Sequence, residues 1–124
     1  MTAAEREVLR LERQLASDFN RHKIRALLQH FAPKFVGFSS MRHERIAGRG
    51  ALSKTFQHYL KVSPRVRYTI AQPKVQVLGE VAVASFYWKV GLAPGHHIAG
   101  RGSHVLAKER GRWKIVHEHF SRSH

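Results

Sequence analysis

The chain has no cysteine, a single aspartate (Asp18), and only 8 acidic residues against 22 Lys and Arg in 124. The first absence excludes disulfides, thiolate zinc sites and cysteine nucleophiles, and leaves the redox compartment unreadable from thiols. The shortage of carboxylates leaves few groups to orient metal-ligating histidines. No apolar run approaches the ~20 residues that span a bilayer. The N-terminal stretch MTAAEREVLRLERQL is charged from Glu5 onward and lacks a signal-peptide core. The chain therefore reads as soluble and cytoplasmic, a single domain over residues 1–124. A chain of this size buries roughly two thirds of its unfolded surface and needs no staple to fold.

What is present in excess is positive charge, formally +14. Such a balance invites nucleic acid as a partner. The basic residues are scattered, however: Arg6, Arg10, Arg13, Arg21, Lys54, Lys74, Lys108 and Arg112 fall in nearly every element. There is no like-charge run of five or six and no aromatic-interleaved RNA signature. Nucleic acid is not the expected partner, and nonspecific binding through the basic surface stays as a further alternative.

Val8, Leu11, Leu15 and Phe19 recur at helical spacing and predict an amphipathic helix over about residues 3–20. Asn20 breaks it, and Ile24, Leu27, Leu28 and Phe31 predict a second, shorter helix ending before Pro33. Phe35, Val36 and Phe38 mark a strand. Gly48 and Gly50 then introduce a helix carrying Leu52, Phe56, Tyr59 and Leu60, which ends at Ser63-Pro64. The remainder reads as strands: one with Val66, Tyr68 and Ile70 on a face, interrupted at Pro73, then a turn at Gly79-Glu80 and a long strand through Trp88. A loop over 93–97 and a tight turn at Arg110-Gly111 separate the last three strands, with His96 and His97 in that loop and facing solvent. Helices followed by a strand meander predict an α+β fold, with helices packed on one face of an antiparallel sheet.

A two-residue turn at Arg110-Gly111 predicts the register of the last hairpin: Leu106 opposite Ile115, His104 opposite His117, Gly102 opposite His119. Directly opposed residues share a face. On that register His104, His117 and His119 converge beside Trp113, and Glu118 is turned away, diagonal to Arg101 as its structural partner. A one-residue bulge would reverse this facing, because strand parity alternates strictly. Three histidines suit a zinc site with an open position, but neutral, hydrogen-bonded pocket histidines are the alternative expected here, with no metal and no cofactor. The segments AGRGAL and AGRGSH lack the pattern of a phosphate or dinucleotide loop. Ser39, Ser40, Ser103 and Ser121 lack a nucleophile-elbow context. Tyr59, Phe56 and Trp88 read as core residues or cavity wall.

The order of elements, with HFAPKFVGFSS, GRGALSKTFQHYL and the closing GRGSHVLAKERGRWKIVHEHFS, resembles the nuclear transport factor two-like superfamily over essentially the whole chain. The ending resembles the SnoaL-like and ketosteroid-isomerase-like branch, whose last strands run to W-x-x-V-H-x-H-x-S; Trp113, Val116, His117, His119 and Ser121 fall on it. The same ending is found in the association domain of calcium/calmodulin-dependent protein kinase II. The resemblance implies a cone-shaped roll, N-terminal helices on a strongly curved, mostly antiparallel sheet, with an apolar cavity between them and usually a homodimer. Lys34 stands where many relatives carry an acid, so no catalytic aspartate carries over, and His104 stands where the kinase domain has a cavity arginine.

The expected function is a domain that binds a small apolar, cyclic molecule in a histidine-containing cavity, as an isomerase- or cyclase-type enzyme acting on a carbonyl-containing substrate. Histidine suits acid–base work near neutral pH. The expected catalytic residues are His104 and His119, and the expected ligand-binding residues Tyr59, Trp88, Trp113 and His117. The alternative is a non-enzymatic dimerisation or association module. No membrane contact is expected.

Overall fold

The computed structural model describes residues 1–123. Helix α1 (Ala3–Asn20) starts on a capping box. Thr2 Oγ1 accepts from the Glu5 amide at 3.1 Å, and Glu5 Oε1 accepts from the Thr2 amide at 2.7 Å. Two donors that a helix start leaves open are thereby satisfied. The buried stripe of α1 is Val8, Glu12, Leu15 and Phe19, with Asp18 beside it, so a carboxylate lies in the middle of an apolar face.

Helix α2 (Ile24–Gln29) is a short turn and a half, and Phe31 does not belong to it. Phe31 opens strand β1 (Phe31–Phe38), which contains Pro33. Proline disfavours helix at Ala32, and Phe31 gains more as a buried strand residue facing Ile115. The Arg49 guanidinium anchors this start, donating to the Phe31 carbonyl from Nε at 2.9 Å and Nη2 at 2.7 Å. After β2 (Ile46–Ala47) comes α3 (Gly48–Val62), entered through Gly48 at φ +86°, a conformation that glycine adopts without strain.

Strands β3 (Arg67–Leu78), β4 (Val81–Ala93), β5 (His96–Glu109) and β6 (Arg112–Arg122) follow. The sheet order is β2-β1-β6-β5-β4-β3, antiparallel throughout except for the parallel β1–β6 pair. Pro73 does not interrupt β3; the strand passes it through a bulge between Ala71 and Lys74, with Gln72 at φ +52°. His96 and His97 lie in β5, not in a loop, and the β4–β5 connection shrinks to Pro94-Gly95. Both histidines are exposed.

The fold is α+β, helices first and then a curved, unclosed, mostly antiparallel six-stranded sheet. The core fills the space between the helices and the concave face, from Val8 and Leu27 to Trp88 and Ile115. Curvature presses β5 against its neighbours: a Cβ on Gly100 would run into the Ser121 carbonyl and come within 2.7 Å of the Trp88 ring. The end of α1 is clipped to β3 by Asn20, whose side chain donates to the Tyr68 carbonyl at 2.9 Å and accepts from the Tyr68 amide at 2.7 Å. Among the described residues, no helix is long and apolar enough to cross a membrane.

Candidate functional site

Strand β6 decides which side chains enter the core. From the turn the register runs as the sequence predicts: Glu109 opposite Arg112, Lys108 opposite Trp113, Leu106 opposite Ile115. It then slips by one residue at Val116, so that Val105 faces His117, His104 faces Glu118, Ser103 faces His119 and Gly102 faces Phe120. The extra residue of a bulge re-aims everything beyond it. The predicted convergence of His104, His117 and His119 therefore does not occur. Glu118 takes the place expected for His117, and its partner is His104 rather than Arg101.

His104 is fully buried, between two carboxylates. Its Nδ1 lies 2.7 and 2.9 Å from the oxygens of Glu12, and its Nε2 lies 2.8 Å from Glu118 Oε1. Carboxylates accept, so both ring nitrogens donate, and the ring is an imidazolium. Burial alone would depress its pKa, but the Glu12 charge and the hydrogen bonds it donates to both carboxylates outweigh it and raise the value from 6.5 to about 10. Glu12 is as buried as the ring, whereas the Glu118 side chain keeps 12% of its surface.

That residual surface opens into a space of about 610 Å³ between the helices and the concave sheet. Its walls are largely apolar, including Leu15, Phe19, Leu52 and Phe56. Phe120 is stacked between Tyr68 and Trp88, at ring separations of 6.3 and 5.8 Å. Exposed Lys54, His58 and Val62 mark the mouth, where Tyr59 Oη lies 2.6 Å from Ser39 Oγ. Burial raises the Tyr59 pKa, against the hydrogen bond from Ser39 and the charge of Arg42. Tyr68 also lines the space, and its hydroxyl is the one buried side-chain polar atom without a hydrogen-bond partner among the described residues. Burial holds the Tyr68 pKa well above 10, and the charges of Glu12 and Glu118 push the same way.

Of the residues singled out from the sequence, Tyr59 and Trp88 line this space. His104 stands behind Glu118 and does not. Trp113 is on the concave side but at the other end of the sheet, where its Nε1 donates to Glu7 at 3.2 Å and the Lys108 ammonium lies 5.7 Å over its ring. His117 and His119 alternate with Glu118 and lie on the convex face, between Val105 and Val36 and between Ser103 and Phe38 respectively. His117 is half-buried and His119 exposed. Among the described residues, no group of three or more His, Asp or Glu is arranged to hold a metal. His104 has no free nitrogen with which to ligate one.

Sequence reasoning missed Glu12, Glu118 and Tyr68 as partners. One signal was visible: Glu12 interrupts the apolar stripe of α1, and a carboxylate at such a position needs a buried partner. A second pair of this kind, Asp18 and His30 at 2.8 Å, is completed by Gln14 Nε2 donating to Asp18 at 2.9 Å.

A family model described as a SnoaL-like domain matches residues 8–123. Solved structures share the fold at low identity. A nuclear transport factor two-like protein of unknown function from Pseudomonas putida is 21% identical, with TM-score 0.91, over 98% of this chain and 87% of that one. The association domain of calcium/calmodulin-dependent protein kinase II from Caenorhabditis elegans is 20% identical, with TM-score 0.78, over 96% and 95%. A candidate dehydratase of the same fold family from Streptomyces avermitilis is 13% identical, with TM-score 0.82, over 95% of each chain. No protein of curated function matches the chain.

Proposed function

The chain belongs to the SnoaL-like family, and from that premise we propose that it binds a small apolar, ring-containing molecule in the space lined by Trp88, Phe120 and Tyr59, with Glu118 as the polar group that meets it. The observation that carries this reading is Glu118 itself. Among the described residues it is the one carboxylate that lines this largely apolar enclosure, and a buried imidazolium holds one of its oxygens at 2.8 Å. Concave, mostly apolar sites with a few fixed polar groups are what small-molecule binding requires.

In an isomerase- or cyclase-type reaction on a carbonyl-containing substrate, Glu118 is the group placed to accept a proton from the bound molecule and return it. His104 is then a positioning residue: with both nitrogens donating, it fixes the carboxylate and has no lone pair to offer. His119, on the convex face, is not assigned a catalytic role in this reading. The fold shared with a candidate dehydratase supports an enzyme of this general kind.

Binding is tested by fluorescence titration with N-phenyl-1-naphthylamine, an uncharged ring-bearing dye. Wild-type protein is expected to bind one equivalent saturably. Val90→Trp, which sets an indole into the space from half-buried Val90, is expected to weaken binding at least tenfold while leaving the melting temperature within a few degrees. Equal binding by both proteins overturns the reading.

A second reading is assembly. The fold shared with a kinase association domain supports it, as does the convex sheet face, where Leu78, Val81 and Tyr87 are 72%, 41% and 53% exposed. Apolar exposure of this kind marks interaction surfaces, and the occupant proposed here is a second copy of the chain.

A further inference from the structure

We infer that the molecule bound in the cavity carries a hydroxyl group, and that this hydroxyl accepts a hydrogen bond from Tyr68 Oη while donating one to the oxygen of Glu118 that His104 leaves free. The inference rests on the cavity reading above and names the chemistry of its ligand.

Two residues that line one space each carry an unmet group. The Tyr68 hydroxyl is buried without a partner, which is costly unless something else supplies one. Its backbone cannot shift to find one, because Asn20 holds both the amide and the carbonyl of Tyr68. The phenol stays neutral, since burial and two neighbouring carboxylates oppose its ionisation, so it is a donor in search of an acceptor. Glu118 is the complement. Its Oε1 accepts from His104, and Oε2 has no hydrogen bond among the described residues. Both side chains line the same space, and Phe120, two residues from Glu118 on the same face of β6, stacks on the Tyr68 ring.

One ligand oxygen that both accepts and donates satisfies the pair, and an alcohol, phenol or enol does this with a single atom. A ketone accepts from Tyr68 but leaves Glu118 unmet. A protonated amine donates to Glu118 but leaves Tyr68 unmet. A carboxylate accepts from Tyr68 but has no proton to donate to Glu118. A hydrocarbon leaves both groups unsatisfied, and sites built to bond a hydroxyl reject analogues that lack it.

The test compares 2-naphthol with 2-methylnaphthalene, which share a ring system and differ in the hydroxyl, by calorimetric titration of the full chain at pH 7. The wild type is expected to prefer 2-naphthol by about tenfold or more, as one well-made buried hydrogen bond provides. Tyr68→Phe is expected to cut that preference to about threefold or less without changing the affinity for 2-methylnaphthalene. It should melt no lower than wild type, because it removes an unpartnered buried group. If the wild type binds both probes alike, or if Tyr68→Phe keeps the full preference, the hydroxyl inference is overturned while the cavity reading stands. If neither probe binds, the cavity reading falls and the inference falls with it.

Discussion

At the scale of single residues, the trio Glu12–His104–Glu118 couples stability to pH. The folded-state pKa of His104 is raised from 6.5 to about 10. A raised value means the folded state holds its proton more tightly than the unfolded one, so the stabilisation is fully present below about pH 6.5 and is lost as pH rises toward 10. The melting temperature is therefore expected to fall steadily between pH 7 and 9.5. Glu12→Gln, which removes the larger of the two attractive charges, is expected to flatten that fall, and a slope unchanged in the variant argues against the assignment. His104→Ala strands the Glu12 carboxylate, 1% exposed, without its counter-ion. Removing one partner of a buried pair costs about 3–5 kcal/mol, and urea titration reads the loss directly.

Elements make these residues meet, and the joints between elements are the sensitive points. Asn20 satisfies both backbone groups of Tyr68 across the gap from α1 to β3. Asn20→Ala removes two hydrogen bonds and is expected to cost about 2 kcal/mol, at roughly 1 kcal/mol for each bond. Hydrogen exchange at the Tyr68 amide should accelerate more than at the centre of β4; uniform acceleration would indicate global loosening instead. Much of this level was legible in the sequence. The 3.6-residue spacing of Val8, Leu15 and Phe19 marked α1, and Arg110-Gly111 set the first four pairs of the last hairpin correctly. Phe31 was misplaced because its apolar spacing continues that of Ile24 and Leu27, and tertiary pairing with β6 overrides that local pattern. The bulge at Val116 left no local mark: Ile115, Val116 and His117 are all compatible with an unbroken strand. Since parity governs every residue after it, that one step decided the site. Tyr59 and Trp88 were readable as cavity wall from residue type alone, whereas the pairing of His104 with Glu118 depends on the slip.

Taken as a whole molecule, the protein has two faces of different character. The concave face is covered by helices and encloses the space beside Glu118. The convex face carries a row in which Val83, Val105, His117 and Val36 are successive partners across four strands, flanked by exposed Leu78, Val81 and Tyr87. If a second copy covers this face, light scattering at micromolar concentration gives the mass of a dimer, and Tyr87→Glu on both copies gives a monomer, since the same patch meets itself about a two-fold axis. A monomeric wild type removes the assembly reading. The order of the strands has a consequence of another kind, one of timing. β6 is inserted between β1 and β5, although β1 is made early and β6 after every other strand described. While the chain is being synthesised, β1 has only the two residues of β2 to pair with, and Glu12 waits for His104, 92 positions downstream, and His104 for Glu118. The nascent chain thus emerges as two unjoined pieces of sheet with a charged group held open between them. Neither the sheet nor the pair of His104 and Glu118 can be complete before β6 has been made.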